Sequence, residues 1–136
     1  MTTEQTARLL ESSLQAAIQI PGVPVYRASE SSTRTLPCIV LACVPQGTLY
    51  EMRSPSGDYG TSADLSLTAM VSAATPESGD AIEALLAQAI IAVETAQINP
   101  TPWLIVQIDR SGGSGSEFDG VRRRKSVEWS CQLLPA

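Results

Sequence analysis

A chain of 136 residues with 43% hydrophobic and 17% charged residues is long enough for one domain with a core, and its composition excludes disorder throughout. Fourteen acidic residues outnumber nine basic ones, and four of the nine basic residues are consecutive: Arg122, Arg123, Arg124 and Lys125. Outside that stripe 14 acids face five bases, a balance of −9, which speaks against general nucleic-acid binding, whose mark is a basic face across the domain.

In chain order, residues 2–20 read as an amphipathic helix. Thr2 can cap it with Gln5 as the reciprocal partner, and Leu10, Leu14, Ala17 and Ile18 fall on one face. Pro21-Gly22 should stop it. A short extended piece over 23–27 and a polar loop over 29–35 follow. Residues 38–44, CIVLACV, are apolar at both parities, which predicts a central strand covered on both faces, or one covered by a neighbouring subunit. Pro45-Gln46-Gly47 reads as a turn leading to a further strand over 48–53. Residues 54–62, rich in Gly and Ser, read as a flexible tip that holds Tyr59. Leu65, Leu67, Ala69 and Val71 then alternate with polar or longer residues, predicting another strand.

After a break at 75–79 a second helix is expected over 80–97, with Asp80 as N-cap and an apolar face of Ile82, Leu85, Leu86, Ala89, Ile90 and Val93. Glu83 and Glu94 fall on its wet side, and residues 99–102 end it. A closing hairpin completes the chain: a strand over 103–109, a Gly/Ser loop over 111–120 that carries Phe118, and the RRRK stripe leading into a terminal strand. There Val127, Trp129, Cys131 and Leu133 point one way, with Glu128, Ser130 and Gln132 the other. The expectation is an α+β fold over residues 1–136, a mainly antiparallel sheet with two helices on one face and a long C-terminal hairpin.

The chain offers little chemistry. It has no histidine, which removes the usual general base and the commonest transition-metal ligand. Cys38, Cys43 and Cys131 sit in apolar runs, and Cys38 and Cys43 are five positions apart, on opposite faces of one strand. Buried free thiols in a reducing, cytosolic setting are expected. No stretch approaches the length of a membrane span. The loop SGGSGSEFDG opens a strand and lacks the lysine of a phosphate loop. Asp109, Glu117 and Asp119 could hold a hard cation, but solvation of an exposed loop is the plainer reading, so no cofactor or metal is expected. Along a strand Arg122 and Arg124 would project to one face and Arg123 and Lys125 to the other. A solvated strand end, an ion-pair surface between subunits and contact with DNA phosphates all stay open for them.

The layout of leading amphipathic helix, apolar strand, the strand ADLSLTAMVSA, and a break with SGD into an Ala/Leu helix resembles the small neck and tail-completion proteins of tailed bacteriophages. The segment DGVRRRKSVEWSCQLLPA is similar to the closing strand of tail-terminator proteins. The resemblance implies a non-enzymatic virion protein, present in the host cytoplasm during assembly. It implies homo-oligomeric rings, commonly hexamers, whose partners are the tail tube protein and the head connector or adaptor, with DNA near the lumen and no membrane. Arg122, Arg123, Arg124, Lys125, Tyr59 and Phe118 are the candidate interface residues. Other readings are another small phage head-completion or tail protein, a small-molecule or peptide-binding module, and an enzyme without histidine.

Overall fold

In a computed structural model, which describes residues 2–30, 33–73, 77–95 and 103–135, the first helix, α1, runs Thr3–Ala17. Its expected cap forms in full: Thr2 Oγ1 accepts the Gln5 backbone N–H at 3.1 Å, and Gln5 Oε1 accepts the Thr2 N–H at 2.9 Å. Two orphan donors of the first turn are thereby satisfied. The helix ends three residues before Ile20, because Ile18 turns extended (φ −80°, ψ 109°) while its N–H still bonds to the Leu14 carbonyl. Leu10, Leu14 and Ile18 are buried.

The remaining elements are β1 (Val25–Arg27), β2 (Cys38–Arg53), β3 (Tyr59–Ser72), α2 (Ser78–Thr95), β4 (Trp103–Gly113), β5 (Glu117–Phe118) and β6 (Arg122–Pro135). Among the described residues the strands form one mixed sheet in the order β1-β2-β3-β6-β4, with β5 beside β6. Only β1–β2 is parallel; the other pairings are antiparallel. The fold is α+β, as the order of periodicities predicts. Because β6 inserts between β3 and β4, the α2 crossover joins two parallel strands that are not neighbours.

Other boundaries differ from expectation as well. Pro45-Gln46-Gly47 makes no turn: β2 runs straight through it to Arg53, and the ladder to β3 slips one place between Pro45 and Gly47. A bulge absorbs the residue that cannot donate, and β2 pairs with β1 only over Ile39–Leu41, so Pro45 lies where the strand's outer edge is free of β1. The second helix begins at Ser78, which places Asp80 in its first turn rather than at the cap, where its charge still suits the helix dipole. The helix end expected at 97 and the break at 99–102 lie outside the described residues, as do parts of the breaks at 29–35 and 75–79.

Both helices pack on one face of the sheet, over a cluster that includes Leu10, Leu14, Ile39, Leu41, Leu65, Leu67, Ile82, Leu86, Trp129 and Leu133. The opposite face carries a small second cluster of Cys38, Val40 and Met70 beside Tyr26 and Leu36, so the start of β2 is covered on both faces, as its double-parity hydrophobicity predicts. Elsewhere that face is lined by Ser66, Thr68, Glu128, Ser130 and Gln132, the solvated side of an antiparallel sheet. Where β1 ends, the buried Glu11 carboxylate takes over its role and accepts the Cys43 backbone N–H at 3.1 Å. A side chain thus closes an edge position that a foreign strand would otherwise find open.

Candidate interaction surface

The stripe is built into the start of β6, and strand periodicity sorts it as expected. Arg123 and Lys125 share the parity of buried Val127 and Trp129 and reach toward α2, while Arg122 and Arg124 stand on the other face. On the helix side Lys125 pairs with Glu83 of α2, and Arg123 Nε donates to Ser78 Oγ at 3.1 Å. On the other side Arg122 pairs with Asp119 at 2.9 Å and Arg124 with Glu117 at 3.3 Å. Three of the four cations therefore have a carboxylate of their own chain, and Arg123 is the one without such a partner among the described residues.

β5 makes this possible. Glu117 registers opposite Arg124 and Phe118 opposite Arg123, so the Gly/Ser loop folds back as a short strand in the place β4 vacates after Gly113. The Arg123 guanidinium lies 5.7 Å over the Phe118 ring, which remains 60% exposed. Backbone N–H groups of Arg122 and Val121, together with the Arg122 side chain, hold the exposed Asp119 carboxyl down at about 2.

Tyr59 lies at the other end of the molecule. It belongs to β3 rather than to a loop, and the tip expected over 54–62 contracts to a turn closed by Ser54 N–H to Asp58 O at 2.8 Å, with Gly57 at φ +95°. The Tyr59 ring packs edge-on against Tyr50 at 5.2 Å, with Arg53 5.5 Å above it. The six candidate residues are therefore split: five gather around the β5–β6 turn and Tyr59 stands apart. Sequence reasoning missed Tyr50 and Arg53, because a turn at 45–47 would have placed them on an independent strand. It also missed Val121, 73% exposed in the β5–β6 turn. Pairing residues 50 and 53 with 59 across the 54–58 turn would have found the first two.

The acidic residues weighed as a cation site do not converge. Asp109 registers opposite Ser130 and Glu117 opposite Arg124, six positions apart on β6, or roughly 20 Å. Among the described residues no group of three or more His, Cys, Asp or Glu side chains could hold a metal ion. Glu83 and Glu94 serve the sheet rather than solvent alone: Glu94 accepts from Arg110 at 2.6 Å and from the Trp129 indole at 3.2 Å, and both contacts hold its carboxyl below the usual range. The three cysteines are unpaired, and burial pushes the Cys43 and Cys131 thiols up to about 12. No described helix is long and apolar enough to cross a membrane.

An apolar groove of about 430 Å³ runs beside α2, lined by Ile20, Val23, Leu36, Val71 and Leu85 among others. Its polar side chains are Ser72 and Gln88, too few and too dispersed for the convergent polar groups of a small-molecule site. No protein-family model matches the chain, and no curated protein sequence matches it.

Proposed function

We propose that this chain is a non-enzymatic structural subunit of a bacteriophage neck, assembling into a ring that caps the tail tube and joins it to the head connector. The observation that supports the reading best is the element order. A capped leading helix, a long two-strand hairpin, an Ala/Leu helix and a closing hairpin whose last strand opens on the basic stripe match the layout of the proteins the sequence resembles. The stripe and the two exposed aromatic ends suit a ring subunit, in which one patch of each copy meets a different patch of the next. The ring is six-fold in this reading, the tail tube and head connector proteins flank it, and DNA passes near its lumen.

Electron microscopy of the particle whose genome encodes the chain, labelled with gold-conjugated antibody against it, tests the assignment. Label at the head–tail junction is expected. Label along the tail shaft, on the capsid shell, or nowhere on the particle overturns it.

A further inference from the structure

Among the described residues six large hydrophobic side chains are exposed, and four of them gather at two places: Tyr50 (74%) with Tyr59 (42%), and Phe118 (60%) with Val121 (73%). These are opposite ends of the sheet. β3 begins at Tyr59 and reaches, at Ser72, the register partner of Arg122, a run of roughly 40 Å. Each end joins an aromatic ring to a guanidinium, Arg53 over Tyr59 and Arg123 over Phe118. Each also carries a neighbouring carboxylate, Glu51 at the first end and Glu117 at the second, both exposed. Among the described residues Glu51 makes no ion pair and Arg123 has no carboxylate partner.

We propose that copies of this chain join end to end, the Tyr50–Tyr59 end of one copy seating on the Phe118–Val121 end of the next. The charges match crosswise: Glu51 meets Arg123, and Arg53 meets the exposed Glu117, which it shares with Arg124 of the same end. Exposed aromatics backed by a guanidinium are the residue types that dominate interface energetics, and all four side chains remain exposed. A second copy supplies both halves of the match at once. Because the two ends differ, each contact leaves one end of each type unused, so the contact propagates until it closes. The inference rests on the ring-subunit reading and specifies which surfaces meet.

Sedimentation velocity of the full chain over a range of concentrations tests it. Two double variants each remove one end: Tyr50→Ser with Tyr59→Ser, and Phe118→Ser with Val121→Ser. Each alone should associate on the order of 30-fold or more weakly than the parent chain, as the loss of anchoring aromatics implies. Their equimolar mixture should form dimers and nothing larger, since one intact end of each type remains. A charge exchange avoids any effect on the tyrosine pair: Glu51→Arg or Arg123→Glu alone should weaken association, and the two together should restore it. Parent-like assembly of both double variants overturns the contact while leaving the ring reading standing. Dimers formed by one double variant alone overturn it in favour of a like-to-like contact. A parent chain that stays monomeric at every concentration overturns the contact and the ring together.

Discussion

Trp129 shows how much one side chain can hold. It is fully buried in the middle of β6, and its indole N–H is satisfied by Glu94, which Arg110 anchors from the neighbouring strand. Trp129→Ala should destabilise the fold by about 3–5 kcal/mol, read from the urea midpoint. Trp129→Phe should cost less, since it keeps a ring in the cavity and loses only the donor. The alternation of β6 made the burial legible. The Glu94 contact was not, because the two residues are 35 positions apart and a helix pattern assigns that glutamate to water. Asp119 makes a second residue-level case. Its carboxyl is held below its usual value, down to about 2, so it contributes stability that is present above the ordinary aspartate range and lost as pH falls toward 2. Asp119→Asn should therefore lower the thermal midpoint at pH 7, with the gap to the parent closing as the pH falls from about 4 to about 2. A gap that is independent of pH would show that the carboxylate charge is not what matters.

Among the elements, the two hairpins teach opposite lessons. In β2 the residues Pro-Gln-Gly carry turn chemistry, yet strand-forming residues flank them on both sides, and long-range pairing with β3 keeps the strand going. Local propensity lost to register. The last strand of the closing hairpin was legible because its alternation over residues 127–133 is strict, but the return of β5 inside the Gly/Ser loop was not. Two residues, Glu117 and Phe118, are too few to show a period, and what recruits them is the arginine pair across the ladder. Glycine substitutions separate the two cases. A Cβ at Gly113 would lie 2.7 Å from the Ser126 carbonyl oxygen, so Gly113→Ala should push β4 from β6 and cost on the order of 1–3 kcal/mol. A Cβ at Gly47 meets nothing within 4 Å, so Gly47→Ala should change the urea midpoint little, by about 0.5 kcal/mol or less. A tight turn dependent on that glycine would respond far more strongly.

For the whole molecule, the charge distribution read from sequence is only half the account. The run of cations and its division between two faces were visible in the residues. Their counter-charges were not, since Glu83 lies 42 positions from Lys125 and the sheet had to fold before Glu117 could meet Arg124. The stripe that stands out as a charge imbalance is largely neutralised within the chain, and Arg123 is left as the member without a carboxylate partner among the described residues. Changing Arg122, Arg123, Arg124 and Lys125 together to Ser removes three surface ion pairs, each worth about 0–1 kcal/mol, so the fold should persist while association weakens. Circular dichroism checks the first half of that statement and sedimentation the second. An unchanged assembly size would remove the stripe from the contact.

The unpaired thiols make the chain its own reporter of opening. Cys131 lies under the helices, Cys43 packs against the same core, and Cys38 sits in the cluster on the far side of the sheet. With two of the three thiols pushed up to about 12, almost none of the reactive thiolate exists at neutral pH while the fold is closed. Alkylation of the buried Cys38 and Cys131 by iodoacetamide should therefore proceed only through transient openings. Modification of Cys131 would time the lifting of the helix layer, and modification of Cys38 would time the fraying of the opposite face. Two clocks on one sheet would then show whether its layers come apart together.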